Sequence, residues 1–370
     1  MNSCAPTRTQ VDNLNNSLGW SSESLEGISA RSLADLYLSE RVLENEIRRV
    51  FLAEWTLLGS SDSLQHIGAF ECHEVLGIPI VLIRQKDGQI KGFFNQCTHR
   101  ALPILKGKGV KKNVITCPYH QWSFKISGEL STVPQISEFD HLEKGALGLI
   151  EFKTATWRGL VFGDLLGLAG PFAEIENDLT MQIGGEFEPD YSQRFESHYE
   201  ISCNWKLLIE NHLDVYHLWY LHAKTLNAFD HHRFQWQQSG NNWWSYEPLK
   251  STDGVIKSSR GSTEKRDGIG AHLIYPNIMI VTTPNYVATY DALPIDPGST
   301  KLSLRIRADE TIDTDSVLKE IRAFLSEDIQ VCERLQHSVH SPMYAIGALA
   351  SRYEQPILNF HRNLRASLGV

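Results

Sequence analysis

A chain of 370 residues with 42% hydrophobic composition is long enough for two packed domains and ordinary enough for a globular core. A net charge of −9 and a pI of about 5.9, with no dense run of Lys or Arg, argue against a nucleic-acid partner. No run of about 18 apolar residues is present, so no membrane-spanning helix is expected. Met1 to Ser32 is rich in Ser, Asn and Glu and lacks the apolar core of a secretory signal, which makes the expected location cytoplasmic.

In chain order, residues 1 to 30 read as a loose arm and 31 to 50 as mostly helical. From about residue 50 to 155 the pattern changes to short strands with turn punctuation. Ile78 to Arg84 and Ile90 to Phe94 flank Lys86, Asp87 and Gly88, a hairpin signal; Trp122 to Ile126 runs into Ser127 and Gly128 in the same way. Beyond these, helical patterns at 204 to 222 and 314 to 340 mix with strands at 271 to 283, 286 to 294 and 301 to 308. Residues 250 to 270, rich in Lys, Ser and Gly, read as a mobile surface loop suited to an active-site lid. The expected segments are an arm and helix over 1–49, a β domain over 50–155 and a second domain over 156–370.

Six cysteines, Cys4, Cys72, Cys97, Cys117, Cys203 and Cys332, are scattered through a long chain, a usage that fits reduced thiols better than a disulfide framework. Two of them have ligand spacing. Cys97 and His99 are followed, after 17 residues, by Cys117 and His120. Each pair offers one thiolate and one imidazole, which suits a cluster with two inequivalent irons. Zinc also takes two Cys and two His, although one residue between Cys97 and His99 is tighter than the usual zinc-finger spacing.

A second constellation lies between Asn204 and His222, apolar around most of a helical circumference and so expected to be buried. Within it Glu210, Asp214 and His217 fall at i, i+4 and i+7, with Asn211 beside them. Unpaired polar groups inside cost roughly 2–7 kcal/mol, so something must satisfy this stripe. His217 and His222 are candidate metal ligands, yet five residues on a regular helix turn their directions roughly 140° apart. The helix is therefore expected to end or distort near residue 218. Further on, Val317, Ile321, Leu325, Cys332, Leu335 and Val339 form an apolar stripe in which Asp328 is the exception. A carboxylate in a core seam needs a partner, and a metal or a salt bridge supplies one. Two histidines and one carboxylate make a facial triad for non-haem Fe(II).

The two constellations together resemble the Rieske non-haem iron oxygenases, as the catalytic α subunit. Cys97, His99 and Arg100 match the first cluster loop of that family, and Cys117, Pro118, Tyr119, His120 and Trp122 match the second. Ala101 and Gln121 depart from it, standing where many members carry Gly. Glu210, Asn211, Asp214, Tyr216, His217 and His222 look like the oxygenase helix; Glu327 and Asp328, with Glu333 and Gln336, look like its late carboxylate segment.

The resemblance implies an α+β fold: an N-terminal all-β Rieske 2Fe–2S domain and a C-terminal helix-grip catalytic domain with an antiparallel sheet. It implies that Cys97, His99, Cys117 and His120 hold the cluster and that His217, His222 and Asp328 hold mononuclear Fe(II). A flavin- or ferredoxin-type reductase would supply electrons to a homotrimer. Across its interface Asp214 would join His217 to His120 of the partner subunit, with Asn211 near the iron and Tyr216 supporting the helix. The reaction implied is O2-dependent mono- or dioxygenation of a small organic substrate; a Rieske electron carrier without a catalytic iron is the alternative. Trp219, Tyr220, Phe229, Trp236, Trp243, Trp244 and Tyr246 suit either a pocket for an aromatic ring or a cage for a quaternary ammonium. The length and the Lys112–His120 context look more like subunits that oxidise carnitine and betaine, although Asp214 stands where carnitine enzymes carry Glu.

Overall fold

The computed structural model describes residues 18–251, 255–257 and 264–370. They form two compact units, one spanning Leu52–Phe172 and the other joining the described residues up to Phe51 to Ala173–Val370.

The first unit is all-β, as expected. Its strands are β1 (Thr56–Ser60), β2 (Ala69–Val75), β3 (Ile78–Arg84), β4 (Ile90–Phe94), β5 (Lys108–Val110), β6 (Val114–Thr116), β7 (Ser123–Lys125), β8 (Leu130–Thr132), β9 (Glu151–Trp157) and β10 (Leu160–Asp164). Seven build an antiparallel sheet in the order β1-β10-β9-β4-β3-β2-β5, and β6-β7-β8 form a smaller one. The β3–β4 hairpin has the bounds read from the sequence, and Gly88 takes a positive φ of 86° that a side chain resists. The unit runs past the expected end at 155, because β10 pairs between β9 and β1 and Phe172 packs its ring on Trp55 and Phe162.

The second unit carries helices on an antiparallel sheet. Three short helices, α1 (Ser22–Gly27), α2 (Asp35–Leu38) and α3 (Glu40–Glu46), lead into a π-helical turn at Ile47–Phe51. The loose arm expected over 1–30 is thus a capped helix in part, with Ser21 accepting from Ser24; residues 1–17 lie outside the described residues. After α4 (Phe172–Ile183) come β11 (Ser192–Ile201), α5 (Trp205–Leu213), β12 (Gln235–Ser239), β13 (Asn242–Pro248), β14 (Val255–Lys257), β15 (Glu264–Arg266), β16 (Gly268–Ile274), β17 (Ile278–Thr282), β18 (Tyr286–Asp296), β19 (Ser299–Ala308), α6 (Thr314–Val339) and α7 (Gln355–Leu368). The sheet runs β11-β19-β18-β17-β16-β13-β12.

Two expectations need correction. The single strand read at 271–283 is a β16–β17 hairpin, broken at Tyr275, Pro276 and Asn277 because Pro lacks the N–H a ladder requires. Part of the loop read at 250–270 is the β14–β15 ladder; the lid reading otherwise falls on 252–254 and 258–263, outside the described residues. Among the described residues no helix is long and apolar enough to cross a membrane.

A buried ion pair helps to tie the N-terminal segment to this unit. Lys206 on α5 and Glu46 on α3 are both fully buried, with Nζ 2.7 Å from Oε1, and Trp205 Nε1 donates to Glu46 Oε2 at 2.8 Å. Burial pulls the Lys206 ammonium below its ordinary value, and Glu46 opposes this. Removing one partner leaves the other charge uncompensated, a loss of about 3–5 kcal/mol. Lys206→Ala should lower stability by that amount in denaturant titration, and the pair Glu46→Gln with Lys206→Met should recover most of it.

Candidate active site and metal centres

The cluster loops of the β unit are built alike. Cys97 N–H donates to Leu102 O (2.9 Å) while Ala101 N–H returns to Cys97 O (2.7 Å); Cys117 N–H donates to Trp122 O (2.8 Å) while Gln121 N–H returns to Cys117 O (3.1 Å). Closing each loop this tightly puts its fourth residue beyond the cysteine in left-handed backbone, Ala101 at φ 56° and Gln121 at φ 58°. Both cysteines are buried among Phe93, Ile104, Ile115 and Phe124. The His99 and His120 rings lie 4.7 Å apart, and Trp122 stacks on His99 at 4.7 Å and 7°. Burial raises the Cys97 thiol, Cys117 adds to the rise, and backbone N–H groups of His99 and Arg100 oppose it. His99 Nδ1 is buried without a hydrogen-bond partner.

In the catalytic unit the helix stops earlier than expected, at Leu213 instead of near 218. Asp214 turns to extended backbone (φ −84°, ψ 113°), and its carboxylate accepts from Tyr216 N–H at 2.7 Å and His217 N–H at 3.3 Å. The chain then makes a tight turn at Tyr216–Trp219 that brings His217 and His222 together, ring centroids 5.0 Å apart. Asp328, midway along α6, completes the group: its Oδ1 lies 2.9 Å from His222 Nε2 and 3.6 Å from His217 Nε2. One ligand atom from each of the three residues falls within 4.8 Å of the others.

Each histidine has a second carboxylate behind it. Glu327 accepts from His222 Nδ1 at 2.8 Å and is itself fixed by the Thr225 hydroxyl at 2.7 Å. Asp214 Oδ2 lies 3.3 Å from His217 Nδ1, within ion-pair range but off the hydrogen-bond line. Burial lowers the His222 pKa, but hydrogen bonds and charge from Asp328, reinforced by Glu327, outweigh it and raise it.

The polar stripe of α5 divides among different tasks. Glu210 accepts from the Tyr37 hydroxyl (2.8 Å) and His361 Nε2 (3.1 Å), His361 being fixed by Trp20 Nε1 on its other nitrogen. Tyr216 lies exposed with its ring 5.9 Å from Tyr220. Leu335, expected in the seam of α6, is 42% exposed, and buried Gln336 takes that place by accepting Asn204 N–H at 2.9 Å.

Two hollows share Asn211, Asp214 and His217 in their walls. One is a groove of about 540 Å³ that includes Asp214, Tyr216 and Tyr220. The other is a smaller cavity of about 90 Å³ beside the triad, lined by Phe229, Trp243 and Phe324 and by four polar residues the sequence reading missed, His212, His231, Ser245 and Glu247. Of the aromatic residues singled out from the sequence, Phe229 and Trp243 reach this cavity. Trp236, Trp244 and Tyr246 line a separate hollow with Arg266, and Trp219 packs on His231, His232 and Tyr353.

Comparison with known proteins decides the family. Residues 54–151 match the Rieske 2Fe-2S domain, and residues 187–369 match the ring hydroxylating alpha subunit catalytic domain, so that together they take in most of the chain. The chain belongs to the Rieske non-haem iron oxygenases. Choline monooxygenase of Spinacia oleracea is 26% identical to this oxygenase over 90% of its length and 77% of the relative. The carnitine monooxygenase oxygenase subunit of Escherichia coli is 26% identical over 84% of each chain. The fold is shared with a quaternary ammonium Rieske monooxygenase (TM-score 0.79, 23% identity, 90% and 94% covered) and with naphthalene 1,2-dioxygenase from Rhodococcus (0.80, 15%, 96% and 98%).

Oxygenases of this family carry a Rieske 2Fe–2S cluster and a mononuclear iron, and the side chains present suit both groups. Two thiols, two imidazoles and an orphaned buried Nδ1 are what a Rieske cluster requires, and two imidazoles with one carboxylate are a facial triad. Because left-handed backbone costs a side chain about 1–2 kcal/mol, Ala101→Gly and Gln121→Gly should each raise the cluster unit's melting temperature without altering its visible spectrum. Glu327→Ala should weaken Fe(II) retention roughly tenfold or more, read as iron released to a chelator, while the cluster absorption stays intact.

Proposed function

We propose that this oxygenase α subunit hydroxylates a small organic substrate held in the cavity beside His217, His222 and Asp328. Convergence of those three side chains on one point at the cavity wall carries the reading. In it, His217, His222 and Asp328 are the iron ligands, and Cys97, Cys117, His99 and His120 hold the cluster. Bound there, iron with open positions supplies dioxygen chemistry while the cluster passes on single electrons from a reductase.

The chain's own groups set the stage for that chemistry. Glu327 fixes the tautomer of His222 by accepting from Nδ1, which leaves Nε2 as the donor atom toward the metal. Asn211 lines the cavity and the groove alike, a place consistent with a role close to the iron. Phe229, Trp243 and Phe324 keep the cavity largely apolar and limit water around the reacting centre. Named relatives oxidise choline and carnitine, which favours a nitrogen compound over an aromatic ring as the substrate.

The groove at Asp214 is proposed as the docking face of a homotrimer. Tyr220, 72% exposed, and Tyr216 offer aromatic area around a carboxylate that already leans on His217. In this arrangement Asp214 links His217 to His120 of the partner subunit.

Iron analysis with Asp328→Ala tests the central assignment. Wild-type protein should hold three irons per chain and the variant two, with the cluster spectrum retained and O2-dependent turnover lost. Two irons per chain in both proteins would support an electron carrier instead.

A further inference from the structure

The small cavity holds a carboxylate–imidazole pair, Glu247 and His231, that has no part in gathering the proposed iron ligands. Alternate residues of a strand point to one face, so Trp243, Ser245 and Glu247 of β13 all line this cavity. Glu247 is 5% exposed, and its Oε2 takes a short hydrogen bond from Nδ1 of His231, also 5% exposed. One imidazole satisfies one oxygen of a carboxylate that burial has stripped of most of its water. The other acidic residues of the lining, Asp214 and Asp328, stand at the proposed iron site, where a divalent ion would offset their charge, so Glu247 is the carboxylate left to face a substrate; no Lys or Arg is among the described residues that form the lining. His212 adds no positive charge, because burial pulls its pKa down to about 4 against the opposing bond to His272 O.

Such a wall discriminates by charge. A neutral ring would leave Glu247 desolvated with a single partner. A zwitterion would bring a second carboxylate beside Glu247, in a lining that offers it no Lys or Arg among the described residues. A small cation gains both the carboxylate and the ring faces of Phe229, Trp243 and Phe324.

We infer that the substrate is a small organic monocation of the quaternary ammonium class, that Glu247 reads its charge, and that His231 positions Glu247. This rests on the reading of the cavity as the substrate site. Glu247 is thereby a specificity residue, and the enzyme sides with choline-like cations against carnitine-like zwitterions.

Anaerobic titration calorimetry on the iron-loaded protein tests it with three probes: choline, the uncharged analogue in which carbon replaces the nitrogen, and glycine betaine. Choline should bind roughly tenfold or more tightly than either of the others. Glu247→Gln should shrink that preference to about twofold or less, with cluster absorption and iron content unchanged. His231→Asn, which keeps a donor near the position of Nδ1, should retain the preference that His231→Leu loses; a merely structural histidine would lose it in both. Equal or weaker binding of choline by the wild type, or a preference that survives in Glu247→Gln, overturns the inference. Tighter binding of betaine overturns it too. O2 uptake with a surrogate reductase, run in parallel, separates the two readings: charge-selective binding without any turnover contradicts the oxygenase reading and leaves the charge selection standing.

Discussion

A helix continued past Leu213 would aim His217 and His222 roughly 140° apart, too far to share an ion. The chain avoids this by ending α5 at Asp214, whose carboxylate accepts the N–H groups of Tyr216 and His217, while Val215 N–H donates to Tyr353 O. From that turn the geometry of the catalytic unit follows. His217 and His222 come within one ring contact of each other, and α6 needs to present only one acidic side chain to close the group. The same carboxylate that ends the helix then stands behind His217, so a single residue shapes the backbone and places a negative charge beside that imidazole.

Rigid support for that turn comes from far along the chain. Glu46 and Tyr37, in the N-terminal segment, hold Lys206 and Glu210 at either end of α5. His361 on α7 completes the clamp, and Asn204 ties the start of α5 to Gln336 of α6. A buried ion pair contributes little net stability on its own, but it penalises any packing that separates its partners. Thus α5 is fixed against four other helices, α2, α3, α6 and α7, before any metal is considered. In the β unit the same purpose is served by two nearly identical loops, each closed by a pair of backbone hydrogen bonds around a buried cysteine.

Much of this was legible in the sequence because it rests on local rules. Turn residues delimit the β3–β4 hairpin, the spacing of Cys97, His99, Cys117 and His120 identifies the cluster loops, and Asp328 stands out from an apolar stripe. Other features depend on distant partners. No Gly or Pro marks the end of α5, so the need for a break was visible while its place at Asp214 was not. The partners of Glu210 lie 173 and 151 residues away, which no periodicity reveals. Glu247 was missed for a different reason. The aromatic residues around it were read as one dense cluster, although strand alternation sends Trp243 to the cavity and Trp244 to another hollow.

The most direct test is a crystal structure of anaerobically iron-loaded protein with anomalous data at the iron edge. The account predicts a single iron peak within bonding distance of His217, His222 and Asp328, apart from a paired peak at Cys97 and Cys117. A map showing the paired peak alone, with the three side chains bonded to one another, would contradict it.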